Sequence, residues 1–378
     1  MGSRRKLRIL VFSWRDPRHP NAGGAEQVMH EHMKGWTRAG HKVTLFASRN
    51  KGIPEREIID GVKVIRQGWQ YLGVQMAGCL YYLKHRSKID FVVDQFHGIP
   101  FFTPLYVTKP KLAVIQEVAG KVWLNNELPF PLDLLIGAVG YLIEPIIFLF
   151  YRKTQFMTGS ESAKTDLEGT GIPAGKITVV HHGVIVVKPK PFPRKENIKT
   201  VMFLGAISKD KGIVDVLQTF SKLNRKGNFR FWIVGRASEY YQEFIKSEVD
   251  RLNLKNLTYF GFVDNKQKFD LLARAHVTIN PSMLEGWGLV NIEANAMGTP
   301  VIAYRSRGLI DSIKDGQNGI LCHKNSPDVL AKNVVGVLGD MKYYKLLQKG
   351  ALAWANKFNW KLSVNQSLNL LRELSQYN

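Results

Sequence analysis

The chain has 378 residues, 45% of them hydrophobic, with 53 Lys and Arg against 31 Asp and Glu and a formal net charge of +22. That apolar content suits two medium-sized cores and excludes a disordered tail, while the charge favours an anionic partner, whether phosphorylated substrate, acidic membrane surface or nucleic acid. Two cysteines, Cys79 and Cys322, stand far apart without a CxxC or His/Cys cluster, so neither a disulfide framework nor a zinc site is expected and a reducing cytoplasm fits best.

At the N-terminus MGSRRKLRIL, Arg8 interrupts the apolar run and no small-residue cleavage site follows, so no secretion signal is expected. Short β-like runs then alternate with longer helical segments. In the first half the runs are Leu7–Trp14, Lys42–Ala47, Phe91–Gln95, Lys111–Ile115, Phe156–Gly159 and Ile177–His181. Several are nearly continuous apolar stretches, as parallel strands buried on both faces require. After the first run, Asn21-Ala-Gly-Gly-Ala-Glu26 offers Gly23 and Gly24, which either make a tight turn or let the backbone approach a ligand. His97 follows the third run, where a histidine is either structural or faces a ligand.

One segment breaks the alternation. Leu128–Phe150 is apolar and long enough for a membrane span, yet it holds Asp133, Glu144 and three prolines, and a charge near mid-span costs about 2.5–3.5 kcal/mol on insertion scales. Two readings remain: a buried helix of the first domain, or a helix dipping into a bilayer interface beside Lys121, Arg152 and Lys153, with Phe148 and Phe150 among the inserted side chains. Between Val187 and Asn197, three prolines and four basic residues mark a linker.

The second half offers Thr200–Gly205, Phe229–Gly235, Leu257–Phe260, Val277–Asn280, Pro300–Tyr304 and Gly319–Cys322. Two doubly wound α/β domains result, with ligands expected beyond the strands' carboxyl ends, in a cleft between the domains. The decisive stretch is PSMLEGWGLVNIEANAMGTPVIAY, residues 281 to 304, where Glu285 and Glu293 stand eight positions apart. Gly298-Thr-Pro300 ends a helix occupying approximately Gly288–Met297, which leaves Glu285 in the loop before it. Gly286 and Gly288 let backbone pass close to a ligand, and the N–H groups of Gly288, Leu289 and Val290 at the helix start form a phosphate seat. Glu293, a turn and a half inside, suits the vicinal hydroxyls of a ribose, and Glu285 the hydroxyls of a sugar beyond the phosphate.

This segment resembles the signature of the retaining glycosyltransferases of family 4, whose GT-B fold carries a Glu-(seven residues)-Glu motif between a strand and a helix. Other pieces match in order: the Asn21–Glu26 loop with Ala39-Gly-His-Lys-Val-Thr44, Ser160-Glu-Ser162 with Lys164, His182-Gly183, Phe203-Leu-Gly205 with Lys211-Gly212, and Gly261-Phe-Val263. The resemblance implies an N-terminal acceptor domain over 1–186, a linker over 187–197, a nucleotide-sugar donor domain over 198–358, and a C-terminal helix over 359–378 packing back on the first domain. It implies that Glu293 holds the donor ribose, Glu285 contacts the transferred sugar and Lys211 neutralises the diphosphate. Gly23 and Gly24 would approach that diphosphate from the opposite domain, and Phe262 and Val263 would lie beneath the base. No cofactor or metal is implied: no Asp-x-Asp occurs, so cations and a helix N-terminus must stabilise the departing nucleoside diphosphate.

Two positions depart from the family. Members commonly carry arginine directly after the glycine that here is Gly205, but this chain has Ala206; Lys209 or Arg236 would then have to replace the lost fork-shaped cation. Where members often have a histidine near the reacting centre, this chain reads Ile115-Gln-Glu117, which makes His97 the substitute candidate. These losses keep a repurposed nucleotide-sugar-binding relative in play. The acceptor expected is a lipid-linked or cell-surface glycan precursor at the inner face of a membrane, with the protein cytoplasmic and peripheral on that anionic surface. An oxidoreductase is disfavoured because Ala22-Gly-Gly-Ala is not G-x-G-x-x-G and no acid ends the second run. A nucleic-acid binder is disfavoured because the basic residues are dispersed and no helix-turn-helix, zinc-finger or aromatic RNA-binding motif is visible.

Overall fold

The computed structural model describes residues 6–70, 72–96, 99–120, 123 and 131–376. The chain divides into two units, 1–183 with 360–378, and 184–359. The first runs β1 (Arg8–Phe12), α1 (Gly24–Arg38), β2 (Lys42–Ala47), β3 (Arg56–Ile59), β4 (Val62–Arg66), α2 (Leu72–His85), β5 (Phe91–Gln95), α3 (Thr103–Tyr106), β6 (Lys111–Val114), α4 (Leu132–Tyr151), β7 (Gln155–Thr158), α5 (Glu161–Gly169) and β8 (Ile177–Val179). The second runs β9 (Lys199–Leu204), α6 (Ile213–Asn224), β10 (Phe229–Val234), α7 (Glu239–Arg251), β11 (Leu257–Tyr259), α8 (Asn265–Arg274), β12 (Val277–Asn280), α9 (Leu289–Ala296), β13 (Val301–Ala303), α10 (Leu309–Ser312), β14 (Gly319–Leu321), α11 (Pro327–Gly339) and α12 (Met341–Ala355), after which α13 (Trp360–Gln376) belongs to the first unit again.

Each expected strand is present, with ends within two residues of those read from the sequence. The first sheet is ordered β3-β4-β2-β1-β5-β6-β7-β8 and the second β11-β10-β9-β12-β13-β14. All pairings are parallel except β3 with β4. That hairpin was not expected. Its signal was Asp60-Gly61, both left-handed at φ 50° and 84°, the two-residue turn that joins antiparallel strands.

Alternation along the strands separates two faces of the first sheet. Ile9, Val11, Phe91, Val93, Leu112 and Val114 pack with Met29, Met33 and Trp36 of α1 and Leu368 and Leu371 of α13. On the other face, Leu10, Phe12, Phe46 and Val92 meet Val74 and Tyr82 of α2, and Ala113, Ile115 and Phe156 meet Ile147, Phe148 and Tyr151 of α4. The hydroxyl of Ser367 ties α13 to α1, lying 3.0 Å from His32 Nδ1 and accepting from Trp36 Nε1 at 2.9 Å. In the second unit Val184 and Val186 join the core, and the Lys195 ammonium donates to the Ala275 carbonyl at 2.6 Å and Thr299 Oγ1 at 2.7 Å. Burial brings that ammonium down to about 7. The proline-rich segment is therefore anchored at both ends to the second unit rather than strung free.

The segment read as a core helix or an interfacial one has one side in the core and the other exposed. Ile147, Phe148 and Tyr151 are buried, and Glu144 accepts from the backbone N–H groups of Ala119 and Gly120 at 3.0 and 2.7 Å. Tyr151 donates to the buried Asp94 carboxyl at 2.5 Å, pinning the end of the helix to the end of β5. Its other side is solvent-facing, with Leu135 at 61%, Leu142 at 67% and Leu149 at 55% exposure. Phe148 is thus corrected to the core, whereas Phe150 is 47% exposed. Helix α4 is long and apolar enough to cross a membrane by length and composition; Lys121 and residues 128–130 lie outside the described residues.

Two buried histidines predict a pH dependence. Burial lowers His32 to about 4 and His182 to about 3. In the unfolded chain both titrate near about 6.5, so the stability they contribute is complete above that pH and lost as pH falls toward the folded values. The expected loss by pH 4 is on the order of 3 kcal/mol for each. Urea unfolding of the full chain at pH 7, 5 and 4 checks this, and a stability unchanged from pH 7 to 5 contradicts it.

Candidate functional site

In the second sheet the strand order reverses direction at β9: β10 and β11 lie to one side, β12, β13 and β14 to the other. Because these strands are parallel, every connection leaving a carboxyl end emerges on the same edge, and the reversal opens a crevice between the loops after β9 and β12. Those loops carry Lys211 and Glu285. The Lys211 ammonium lies 3.0 Å from Glu285 Oε1 and 3.8 Å from Asp210 Oδ2, and donates to the Leu284 carbonyl at 3.3 Å. Both side chains of the pair remain partly accessible, 25% for Lys211 and 20% for Glu285. An exposed ion pair contributes little to stability, so its value lies in holding a cation and a carboxylate at fixed positions.

Glu285 is oriented by more than the lysine. Ser282 Oγ donates to Oε1 at 2.9 Å, and the Glu285 N–H donates to the Arg307 carbonyl at 3.2 Å. Gly308, in the left-handed region at φ 75°, lies so close that a Cβ there would stand 1.9 Å from the Glu285 carbonyl oxygen. Gly212, at φ 77°, likewise would place a Cβ 2.5 Å from the Pro281 carbonyl oxygen. Glycine is therefore required at both positions for the loops after β9, β12 and β13 to lie against one another. Beneath them a buried amide chain runs from Asn280 Nδ2 to Asn291 Oδ1 at 2.9 Å and from Asn291 Nδ2 to Ser312 Oγ at 2.9 Å. It fixes the start of α9, which Gly288 caps in the left-handed conformation. The first-turn N–H groups of Leu289 and Val290 stand ahead of the first helical hydrogen bond, at the positive end of the helix dipole.

Glu293 is placed differently from its partner. It lies inside α9 and is nearly buried, and its Oε1 accepts from the Lys268 ammonium of α8 at 2.6 Å. Burial raises its carboxyl above the usual range, with Lys268 opposing the shift. Lys268 was not singled out in the sequence; it sits 25 residues away on another helix, and only the packing of α8 on α9 brings it there. Arg236, after β10, stacks over the Phe262 ring at 5.0 Å, and Phe262 itself is 71% exposed. Ala206 and the Lys209 side chain are exposed in the loop after β9, and the Lys209 N–H donates to Tyr241 Oη at 3.0 Å. Val263 is half-buried and Gly286 partly accessible along the same edge.

In the first unit the order reverses between β1 and β5, and the glycine loop follows β1. Gly23 has φ −126°, which any residue adopts, and its N–H donates to Glu26 Oε2 at 2.7 Å while Arg15 Nε reaches Glu26 Oε1 at 2.9 Å. The turn itself does not demand glycine, so what Gly23 and Gly24 supply is exposed bare backbone at a helix start. Gln116 accepts at 2.6 Å from the buried His182 Nε2; its role is to hold that ring. His97 lies outside the described residues. Among the described residues no three His, Cys, Asp or Glu side chains gather as a metal site.

Two family models match in tandem: "Glycosyltransferase Family 4" over residues 22–187 and "Glycosyl transferases group 1" over residues 187–354. The chain belongs to the GT4-type glycosyltransferases. This glycosyltransferase is 22% identical to O-antigen chain mannosyltransferase B of Escherichia coli over 316 residues, 82% of this chain and 77% of that one. Of other curated relatives it spans about half the length, 60% of one and 48% of another. Among solved structures, sucrose-phosphate synthase of Thermosynechococcus elongatus superposes with a TM-score of 0.80 at 18% identity, covering 99% of this chain and 100% of that one. Anabaena HepE in complex with UDP and glucose gives 0.73 at 16% identity, covering 97% and 100%. At such identities these likenesses establish the fold, two Rossmann-like parallel-sheet domains of the GT-B class.

Proposed function

We propose that this glycosyltransferase moves a sugar, with retention of anomeric configuration and without a metal, from a nucleoside diphosphate sugar to a glycan precursor held at an anionic membrane surface. The observation that carries the donor side is the meeting of Lys211 and Glu285 at the switch point of the second sheet, beside the start of α9. A diphosphate there meets the ammonium of Lys211 and the first N–H groups of α9, which together take up the charge that develops as the leaving group departs. Glu285 is set beside the cation, where a carboxylate bonds sugar hydroxyls rather than phosphate. Glu293 stands deeper, its charge balanced by Lys268, and serves the ribose diol. Arg236 and Phe262 offer a cation and a ring face along the same edge. The Anabaena relative binds UDP-glucose, which supports a nucleotide-sugar donor here. The acceptor side rests on the exposed apolar row of α4 and on the net charge of +22.

The exposed Ala206 favours a second reading, a binding protein that has lost turnover, because a charge-assisted hydrogen bond from the missing arginine would contribute about 1.5–3 kcal/mol. Titration calorimetry and turnover on two variants decide between them. Glu293→Ala is expected to weaken nucleoside diphosphate binding about tenfold or more, by loss of hydrogen bonds to the ribose. Glu285→Ala is expected to leave that affinity within about threefold while lowering turnover of intact donor about a hundredfold. Unchanged affinities and rates in both variants contradict the assignment; saturable donor binding by the wild type without sugar transfer favours the second reading. A panel of nucleoside diphosphates names the base, since ligand at a hundred times its Kd adds about 2.7 kcal/mol of stability.

A further inference from the structure

At the end of α4 a pocket of about 870 Å³ is lined by Lys109, Lys111, Arg152, Lys153 and Lys176, with no carboxylate among its lining residues. Among the described residues none of the five cations forms an ion pair. Lys111 is half-buried, and burial lowers its ammonium below the ordinary lysine range. The cations sit where three neighbouring strands begin: Lys109 and Lys111 at β6, Arg152 and Lys153 before β7, and Lys176 before β8. Like charges gathered on one scaffold repel unless an anion joins them, and a phosphate accepts charge-assisted bonds from several cations at once. The rim is apolar: Leu149 and Phe150 line the same pocket and are 55% and 47% exposed.

We propose that this pocket binds the headgroup phosphate of an anionic lipid, with the exposed row of α4 lying against the lipid's apolar portion. The inference rests on the membrane-held acceptor of the preceding reading and adds the chemistry and residues of the docking site. A lipid is the occupant that uses both halves of the site, because a free phosphate leaves the rim idle and a nucleic acid has no use for an aliphatic helix face. The same edge of the sheet carries a second pocket, about 990 Å³, lined by Lys42, Lys63, Lys84 and Lys88 beside Leu80 of α2. Helix α2 covers the same sheet face as α4 and presents Leu72, Met76, Leu80 and Leu83 to solvent at 45–67% exposure. Both pockets lie where parallel strands begin, whereas Gly23 and Gly24 follow the end of β1. Docking therefore engages the end of the first sheet remote from the glycine loop and leaves that loop uncovered.

The test uses the full chain and vesicles of phosphatidylcholine alone or mixed with phosphatidylglycerol. Wild type is expected to bind the mixed vesicles at least about tenfold more tightly, and the triple variant Arg152→Glu, Lys153→Glu, Lys176→Glu to weaken that binding by about a hundredfold at low salt while keeping its thermal midpoint. Leu142→Ser with Ile146→Ser is expected to weaken binding to both compositions. A triple variant that keeps the wild-type preference overturns the pocket but leaves membrane docking standing. Wild type that binds neither vesicle overturns docking and the pocket together. Glycerol phosphate or an oligonucleotide that saturates the pocket in place of vesicles, and is lost in the triple variant, overturns the lipid in favour of a soluble phosphate or a nucleic acid.

Discussion

Lys211→Ala is expected to lower kcat for transfer from the nucleotide sugar by about 10²–10³-fold, the cost of removing one preorganised charge from a developing anion. The lysine is held at the switch-point crevice by Glu285 at 3.0 Å and by the Leu284 carbonyl at 3.3 Å, so its position is fixed before any donor arrives. If protein cations carry the diphosphate charge, EDTA leaves the wild-type rate unchanged and Mg²⁺ or Mn²⁺ does not rescue the variant. Lys211→Arg is expected to recover only part of the rate, because the longer planar fork does not fit between Asp210 and Glu285 as a point charge does. A strict divalent-cation requirement in the wild type, or a Lys211→Ala enzyme within about threefold of normal, would sink the assignment.

Gly308→Ala should disable the site without touching a substrate group. The residue has φ 75° and ψ −38°, a conformation that costs a non-glycine residue about 1–3 kcal/mol. An added methyl would also fall 1.9 Å from the Glu285 carbonyl oxygen and 3.1 Å from the Glu285 Cβ, so the loop holding the carboxylate must move. Urea unfolding should show a loss of about 2–4 kcal/mol, and turnover should fall by about 10²-fold, as expected of a misplacement near an ångström. Nucleoside diphosphate binding through Glu293 should change far less, since that side chain lies inside α9. A variant with the wild-type midpoint and rate would show that the loop after β13 does not position Glu285.

Much of this was legible in the residues. The parallel strands were readable because burial on both faces leaves nearly continuous apolar runs, and α9 was readable because Gly288 and the Gly298-Thr-Pro300 stop bracket it. Glu285 and Glu293 could be singled out by their positions relative to the start of α9, and Lys211 by the family resemblance alone. The hairpin of β3 and β4 escaped because β3 is largely exposed along one face and β4 is interrupted by Lys63 and Arg66, so neither shows that continuous apolar signature; Asp60-Gly61 was its only local mark.

Pairing across the sheet is another matter, since it depends on contacts that have no sequence spacing. Whether Glu285 meets Lys211 or Lys268 is decided by strand order, which sets the loops after β9 and β12 side by side and packs α8 against α9. The same holds for the apolar segment at 128–150, whose composition fits a core helix and an interfacial one equally well. Only the tertiary structure separates its sides: Phe148 and Tyr151 turn to the sheet, Leu142 and Leu149 to solvent, and the cations of three strand beginnings converge at its end. Sequence alone determined which residues carry charge, apolar area and conformational freedom, because those are properties of single residues and their neighbours. Which charges face one another was left to the fold, because a Coulomb or hydrogen-bond energy depends on distances that chain topology alone sets.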